Sequence, residues 1–275
     1  MISTFLAYWT HNLDPFIVRF PQNWFIEGIR WYGVAYLLSF VLAFCMLKHL
    51  FSQKIIRLNE ASQQNFLFAL FCGILLGGRL GYAIFYAFDH YAQNPAELLQ
   101  IWKGGMSFHG ALIGIFFSLY VFSKSSRYAV LSLTDLTVPL GTLGIFFGRC
   151  ANFINGEVYG RFTEVPWGVY FNHELLARHP SQLYEAVCEG LLLFFVSYLF
   201  MKKSAITRKP GYLTGGFLVL YSAIRFLLEY FREPDAPLVG WLTRGQFYSV
   251  FMFFVGIFCF YYAKTKTDSN SVFCN

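Results

Sequence analysis

Charged residues are scarce in this sequence of 275 residues: Asp, Glu, Lys and Arg make up 13% of it, whereas apolar residues make up 56%. Soluble domains usually carry about 25% charged residues, so this chain has too few to cover a water-exposed surface. It contains instead apolar runs of about 17–23 residues, the length that crosses the ~30 Å hydrocarbon core of a bilayer. A β-barrel is disfavoured because its strands alternate in short segments of about ten residues. The composition predicts an all-α polytopic membrane protein.

The sequence also lacks the common catalytic signatures. It has no G-x-S-x-G of a serine hydrolase, no H-E-x-x-H zinc motif and no P-loop. The acid-rich signature of metal-dependent phosphoalcohol transfer is missing, and the six cysteines are scattered without a C-x-x-C pair. We therefore expect no metal and no cofactor. The net charge of +6 follows from the distribution of basic residues around the membrane, so we expect no nucleic-acid partner.

Seven transmembrane helices are predicted within a single membrane domain that covers residues 1–275. The spans lie near residues 31–50, 66–88, 106–122, 136–154, 182–200, 211–231 and 246–263. Basic residues are more frequent on the flanks that share a side with the carboxyl terminus, which predicts that the amino terminus is outside and the carboxyl terminus inside. The first residues, "MISTFLAYWTHNLDPF", lack a basic n-region and are predicted to form an uncleaved leader at the interface.

Three arginines, Arg79, Arg149 and Arg225, lie inside the predicted spans. Each one opposes insertion by about 2.5–3.5 kcal/mol, so the set needs an explanation. With alternating span directions and ~1.5 Å per residue, the polar residues of the spans fall within roughly 15 Å of the outer interface. They are Tyr32, Arg79, His109, Arg149, Asn152, Gln182, Glu185, Arg225 and Glu229. This placement predicts one polar cavity that opens to the outer leaflet.

Helical spacing places these polar residues on continuous faces. The three faces are Tyr221, Arg225, Glu229 and Arg232; Arg149, Asn152 and Gly156; and Gln182, Glu185 and Glu189. An Arg-Glu-Arg face fits one arginine held by a carboxylate and another that binds an anion. A fully satisfied structural network of ion pairs is the alternative interpretation.

Glycines at four-residue spacing predict close helix packing, because small residues let backbones approach each other in lipid. Gly73, Gly77 and Gly81 form two consecutive G-x-x-x-G steps, and Gly144 and Gly148 form another. This pattern is a packing signal and indicates no chemistry.

An arginine-rich cavity suits a phosphate, since the planar guanidinium matches the geometry of phosphate oxygens. At the depth of the outer leaflet, such a phosphate most simply belongs to a phospholipid head group. A competing hypothesis is an anion channel or transporter with an arginine-lined cavity, although the two-fold repeat typical of transporters is absent from the sequence. A transferase of lipid head groups with a non-protein acceptor is a further alternative.

Several motifs together carry a family resemblance. They are "RWYG" (30–33), "GGRLGYAIFY" (77–86), "GGMSFHGALIG" (104–114), "GRCANFINGEVYGR" (148–161), "RHPSQLYEA" (178–186) and "RFLLEYFREPDA" (225–236). In this order, over nearly the whole chain, they resemble the prolipoprotein diacylglyceryl transferase family. The chain departs from the family pattern at Ala111 and at Cys150-Ala151, changes that affect packing more than chemistry.

The resemblance implies a function, a location and a set of site residues. The implied enzyme lies in the bacterial inner (cytoplasmic) membrane, with seven spans and a small periplasmic head at residues 155–181. It transfers the diacylglyceryl group of phosphatidylglycerol to the lipobox cysteine thiol of a prelipoprotein signal peptide, forming a thioether and releasing glycerol-1-phosphate. The family's key positions correspond to Tyr32, His109, Arg149, Asn152, Glu157, Gly160, Tyr221, Arg225, Glu229 and Arg232.

These residue types suggest roles in that reaction. A free thiol has a pKa near 8.5, so we expect His109 to act as the general base. Arg149 and Arg225 are expected to hold the phosphate, with Glu229 and Glu157 orienting the arginines. The remaining polar residues, Tyr32, Asn152 and Tyr221, are expected to bind the head group, and the acyl chains to lie between helices.

Overall fold

The computed structural model describes residues 8–24, 27–171, 174–234, 237–238, 240–265 and 270–274. The first seven residues of the predicted leader lie outside this part. The α-helices are α1 (Trp31–Ser52), α2 (Glu60–Tyr86), α3 (Phe88–Gln93), α4 (Phe108–Ser126), α5 (Val130–Asn155), α6 (Ser181–Glu185), α7 (Leu193–Met201), α8 (Ser204–Thr207), α9 (Tyr212–Leu228) and α10 (Arg244–Thr265). A π-helical segment, Ala186–Leu192, joins α6 to α7. Two 3₁₀ helices, Pro95–Leu99 and Ile101–Lys103, precede α4.

Four short strands form two small sheets. Strand β1 (Trp9–Thr10) pairs in parallel with β4 (Val169–Tyr170), with Trp9 opposite Val169. Strand β2 (Phe16–Arg19) pairs antiparallel with β3 (Gly28–Arg30). The amino-terminal segment is therefore tied to the chain that follows α5.

Six helices in the described residues are long and apolar enough to cross a membrane: α1, α2, α4, α5, the continuous helix Ser181–Met201 and α10. The prediction of an all-α polytopic membrane fold is confirmed. The predicted span at residues 211–231 is occupied by α9, which has 17 residues and is therefore about 25 Å long. It ends early because the backbone after it pairs elsewhere: the Arg161 amide donates to the Phe231 carbonyl at 2.9 Å.

Helices α2 and α4 pack through their glycines, as the sequence predicted for α2. A Cβ at Gly77 would lie 2.5 Å from the Gly110 carbonyl oxygen, and one at Gly114 would lie 2.1 Å from that of Gly73. A Cβ at Gly81 would lie 2.5 Å from the Gly110 Cα. Only glycine allows the two backbones to approach this closely.

The corresponding prediction for Gly144 and Gly148 is wrong. A Cβ at either position, or at Gly141, would meet no atom of the described residues within 4 Å. The three glycines share one face of α5 at i, i+3 and i+7, and Asn152 continues that face one turn later. The face therefore borders open space and makes no helix contact there.

Helix α5 is the centre of the bundle, since α1, α4, α6, α7, α9 and the π-helical segment all pack against it. The buried Asp135 of α5 fixes the first turn of α9: its carboxylate accepts hydrogen bonds from the amides of Gly211 at 2.8 Å and Thr214 at 2.7 Å. The Thr214 hydroxyl also donates to Asp135 at 2.6 Å. The two helices that carry Arg149 and Arg225 are thus joined at one end.

The largest cluster of buried apolar side chains lies at that same end, opposite the arginines. It includes Leu50, Phe66 and Leu136, together with Val272 and Phe273 of the carboxyl-terminal tail. The tail is held by its backbone as well: the Cys274 amide donates to the Ile55 carbonyl at 2.8 Å. The apolar core therefore leaves the other end of the bundle to polar residues.

Candidate functional site

Two arginines from different helices meet on two carboxylates of a third helix. Arg149 of α5 lies 2.9 Å from Glu185 Oε2 and 3.6 Å from Glu189 Oε2, measured from its Nη1 and Nη2. Arg225 Nη1 of α9 lies 2.6 Å from Glu185 Oε1 and 3.4 Å from Glu189 Oε1. Both carboxylates are buried in the bundle, while 21% of the Arg149 side chain remains exposed. We call these residues, with Glu229 and Arg232, the arginine cluster.

Glu229 and Arg232 complete the arginine cluster. Arg225 Nη2 lies 2.9 Å from Glu229 Oε2, so the expectation that Glu229 orients an arginine agrees with the geometry. The Thr243 hydroxyl donates to Glu229 Oε1 at 3.0 Å. Arg232 Nη1 lies 3.2 Å from Glu185 Oε1, which makes Glu185 the common partner of three arginines. The six residues carry three positive and three negative formal charges.

A second polar group lies one turn along α5 from Arg149. Asn152 Nδ2 donates to the Tyr32 hydroxyl and to Glu157 Oε1, both at 2.8 Å. Tyr32 is close enough to Arg149 for an electrostatic interaction. Glu157 contacts amides and no arginine in the described part of the chain, so the orienting role expected of it falls to Glu185 and Glu189. Gly156, in the left-handed conformation (φ 64°), ends α5 and lets the chain turn between these side chains.

Tyr221 and His109 occupy different positions relative to the arginine cluster. Tyr221 is buried on α9 and lies within electrostatic range of Arg149, Arg225 and Glu189. His109 is exposed in the first turn of α4, where its ring contacts Tyr248 of α10 with centroids 5.2 Å apart. Among the described residues, Tyr221 therefore lies beside the arginines, whereas His109 makes no contact with them.

Arg79 does not belong to this site, contrary to the prediction of one cavity for all the polar groups. Its guanidinium donates to the backbone carbonyls of Glu97 at 2.6 Å, Leu98 at 3.0 Å and Gln100 at 3.1 Å, and also to those of Gly104 and Gly105. A buried arginine needs acceptors for its five N–H groups, and the segment from Glu97 to Gly105, between α3 and α4, supplies them. Arg79 therefore shapes the segment that leads to His109.

Gly160 is placed by the backbone around it. Its amide donates to the His179 carbonyl at 2.9 Å, and it pairs with Arg232 in an antiparallel bridge. A Cβ at this position would lie 2.4 Å from the Phe231 carbonyl oxygen and 2.7 Å from the His179 Cβ. The glycine lets the segment after α5 pass between two other parts of the chain and so positions Arg232.

Arg178 holds the segment after α5 together. Its guanidinium lies over the rings of Tyr159 and Phe162, at 4.8 and 4.0 Å from their centroids, and 3.1 Å from Glu174. The Tyr159 hydroxyl donates to Glu174 at 2.9 Å and lowers the pKa of that carboxyl below its usual value. Burial lowers the pKa of the neighbouring His179. These contacts keep Glu174 ionised and the segment compact.

The sequence places Glu185 and Glu189 on one face of a predicted span and suggests no role for either. The signal was present, because an acid inside an apolar span must find a cationic partner. The sequence does not indicate that Arg178 holds the segment after α5 together, because this role depends on how that segment folds.

The arrangement can bind a phosphate. Two guanidinium groups from separate helices converge, Asn152 and Tyr32 lie beside them, and the open glycine face of α5 adjoins Asn152. Charge-assisted bonds from planar guanidinium groups are the strong, directional contacts that a phosphate accepts. No group of three or more His, Cys, Asp or Glu that could hold a metal occurs in the part of the chain that the structure describes.

Comparison with known proteins gives a consistent result. The family model described as prolipoprotein diacylglyceryl transferase matches residues 22–262. A protein of Coxiella burnetii (strain RSA 331 / Henzerling II) is 43% identical over 265 residues, covering 94% of this chain and 98% of the relative. A protein of Idiomarina loihiensis is 41% identical over 266 residues, covering 94% of this chain and 97% of the relative. A protein of Ehrlichia canis is 39% identical over 245 residues, covering 86% of this chain and 93% of the relative. All three are named phosphatidylglycerol–prolipoprotein diacylglyceryl transferase.

Proposed function

This chain belongs to the prolipoprotein diacylglyceryl transferase family and transfers the diacylglyceryl group of phosphatidylglycerol to prolipoproteins, and we propose that Arg149 and Arg225 hold the phosphate of the donor lipid during this transfer. The observation that supports this proposal is their convergence, from α5 and α9, on the buried Glu185. Held in this way, both guanidinium groups face one point in the bundle.

The proposed reaction is a displacement at the diacylglyceryl carbon that carries the phosphate ester. The thiol sulfur of the lipobox cysteine in the prelipoprotein signal peptide forms the new C–S bond. The C–O bond to phosphate breaks, its electron pair stays on the phosphate oxygen, and glycerol-1-phosphate leaves. The negative charge that grows on the phosphate is stabilised by the two arginines, and each such donor is typically worth about 3–4 kcal/mol.

The other site residues surround this phosphate position. Asn152 and Tyr32 are proposed to bind the glycerol head group, and Glu157 holds the Asn152 amide in place. Tyr221 lies on the same side of α9 as Arg225. Gly160 and Arg232 contribute to binding indirectly, since Gly160 positions Arg232 and Arg232 contacts Glu185.

The acyl chains of the lipid are proposed to lie along Gly141, Gly144 and Gly148. This face of α5 borders open space and leads towards Asn152, so a lipid with its phosphate at Arg149 can extend its chains beside it. The alternative of an anion channel or transporter is not favoured, because the relatives carry the name of the transferase.

His109 is proposed to take the proton of the acceptor thiol. It lies in the first turn of α4 and is exposed, and histidine is the side chain that most often serves as a general base. General-base catalysis usually contributes about 10²–10⁴-fold, so His109→Gln is expected to lower turnover by that factor without changing the melting temperature. Retention of most activity would assign the proton to a phosphate oxygen or a tyrosine.

In the membrane, we propose seven spans with α9 as the sixth, an outward amino terminus and an inward carboxyl terminus in the bacterial inner membrane. The segment at residues 155–181 would then form a small periplasmic head. The distribution of basic residues supports this orientation.

The phosphate site is tested with purified enzyme in detergent, labelled phosphatidylglycerol and a lipobox peptide. Arg149→Ala and Arg225→Ala are each expected to lower transfer by at least about 100-fold, while Arg57→Ala, at an exposed position near the other end of the bundle, keeps full activity. Because each Ala variant removes one cationic partner from the buried carboxylates, Arg149→Lys and Arg225→Lys serve as folded companions that retain charge but lose the planar fork. If the Ala variant and the Lys variant at the same position both transfer at a near-normal rate, the assignment of that arginine is refuted.

A further inference from the structure

The arginine cluster is electrically balanced before any lipid phosphate is considered. Arg149, Arg225 and Arg232 face Glu185, Glu189 and Glu229, so the formal charges of these six residues cancel. A phosphate monoanion that approaches such a cluster gains little net attraction, because the carboxylates repel it at the same short distances at which the arginines attract it. Some carboxylate must therefore give up its contacts when the phosphate binds.

The two carboxylates shared by Arg149 and Arg225 are held with different strength. Glu185 lies 2.9 Å from Arg149 and 2.6 Å from Arg225, distances typical of charge-assisted hydrogen bonds. Glu189 lies 3.6 Å from Arg149 and 3.4 Å from Arg225, beyond that range. The Oε2 atoms of both glutamates are buried without a hydrogen-bond donor among the described residues, so the difference lies at Oε1: Arg225 donates to Glu185 Oε1 at 2.6 Å and to Glu189 Oε1 only at 3.4 Å. Glu189 is the carboxylate that loses least when it leaves the arginines.

The backbone around Glu189 is irregular as well. Glu189 lies in the π-helical segment Ala186–Leu192, and π-helical turns inside α-helices are rare and frequently lie at functional sites. The adjacent Gly190 lets this segment press against α5, since a Cβ there would lie 2.7 Å from the Phe146 Cβ. The close approach brings Glu189 to Arg149, whereas Glu185 lies in the regular turn before it.

We propose that Glu189 is an internal competitor of the lipid phosphate: it contacts the guanidinium groups of Arg149 and Arg225 that the phosphate needs, and it yields them when phosphatidylglycerol binds. Glu185 keeps both arginines in position throughout. The competition weakens the binding of the released glycerol-1-phosphate too and so assists its departure. Glu189 is thus a positioning residue that sets anion affinity, and the inference rests on the proposed phosphate site.

The test compares the affinity of Glu189→Gln and the unmodified enzyme for three probes in detergent micelles: phosphatidylglycerol, sn-glycerol-1-phosphate and diacylglycerol. Removing one nearby negative charge is expected to tighten the binding of both phosphate compounds roughly tenfold and to leave the binding of uncharged diacylglycerol unchanged. A purely structural role of Glu189 would weaken all three. The KM for phosphatidylglycerol is expected to fall with its dissociation constant.

Three further variants make the result decisive. Glu185→Gln is expected to weaken the binding of both phosphate compounds, because three arginines lose their common partner, and the exposed Glu60→Gln leaves every affinity unchanged. Glu189→Asp draws the carboxylate back while keeping its charge, and it is expected to tighten phosphate binding to a smaller degree even if Glu189→Gln fails to fold. Unchanged or weaker phosphate binding in the Glu189 variants overturns the inference. If Arg149→Ala and Arg225→Ala nevertheless abolish transfer, that result rejects only the role of Glu189 and leaves the proposed phosphate site supported.

Discussion

Three arginines lie inside the apolar helices, and their acceptors divide them into two kinds. Arg79 donates to backbone carbonyls of the segment before α4, whereas Arg149 and Arg225 face carboxylates. A carbonyl cage satisfies an arginine without neutralising its charge and leaves no group that a substrate could replace. Carboxylates can be exchanged for another anion. The acceptors of each arginine therefore distinguish the structural residue from the candidate site residues.

Gly160 provides a test at the scale of one residue. Gly160→Ala is expected to destabilise the protein by about 2–3 kcal/mol, because the added Cβ overpacks against the Phe231 carbonyl and the His179 side chain. Thermal unfolding in detergent would show a lower melting temperature. Gly33→Ala is the matched control, since a Cβ at Gly33 meets nothing within 4 Å. Equal melting temperatures for the two variants would contradict the packing role.

At this scale, the sequence predicted which residues are polar and buried, and it predicted their partners less well. The cost of a charge in lipid identifies Arg149, Arg225 and Glu229 as residues that need partners. Which partner each one finds depends on distances between helices that are far apart in the chain. Arg79 was misassigned for that reason, since its acceptors lie in a loop whose 3₁₀ turns carry no recognisable sequence pattern.

At the scale of helices, the same small-residue spacing has two different outcomes. The α2 glycines contact α4 backbone to backbone, whereas Gly144 and Gly148 of α5 border open space. The spacing of glycines indicates a helix face that another group can contact closely. It does not indicate whether that group is a second helix or a lipid. This ambiguity could not be resolved from the sequence alone.

Gly77 and Gly144 form a matched pair of test positions. Gly77→Ala is expected to destabilise the protein by about 2–3 kcal/mol, because its Cβ would lie 2.5 Å from the Gly110 carbonyl oxygen. Gly144→Ala is expected to be neutral or to stabilise by up to about 1 kcal/mol, since alanine favours a helix more than glycine does. The melting temperatures of both variants check this. A loss of stability in Gly144→Ala would show that its face is packed.

A larger side chain at the same position tests where the acyl chains lie. Gly144→Leu fills the open face of α5 without touching the arginines, so transfer is expected to fall at least about tenfold, the loss that corresponds to ~1.4 kcal/mol, while the melting temperature stays constant. The assay is the transfer of labelled phosphatidylglycerol to a lipobox peptide. Unaltered transfer would place the acyl chains elsewhere.

The end of α9 shows a further limit of sequence-based prediction. The apolar pattern continues to residue 231, but the helix ends at Leu228. The carbonyls of Phe231 and Arg232 accept hydrogen bonds from Arg161, at 2.9 Å in each case. Hydropathy describes how a segment partitions into lipid and carries no information about a competing pairing with a distant part of the backbone.

At the scale of the whole molecule, the carboxyl-terminal tail closes the apolar core. Phe273→Ala is expected to destabilise the protein by about 3–5 kcal/mol, because the buried ring leaves a cavity next to Ile56. Phe258→Ala, on the exposed side of α10, is the control and should have little effect. Unfolding in detergent measures both. Similar melting temperatures would mean that the tail is dispensable.

The proposed orientation is tested by labelling single cysteines after replacement of the six native ones. Leu175→Cys, in the segment after α5 where Leu175 is 91% exposed, is expected to react with an impermeant maleimide added to spheroplasts. Arg57→Cys, between α1 and α2, should react only after the membrane is permeabilised. The reverse pattern would show that the topology is inverted.

Asp135 has a mechanical consequence for the whole bundle. Its carboxylate fastens the first turn of α9, while Glu185 and the backbone around Gly160 fasten the far end. A helix that is held at both ends bends less than a helix that is held at one end. We therefore expect the distance between the guanidinium groups of Arg149 and Arg225 to change little when a lipid binds to or leaves the proposed phosphate site.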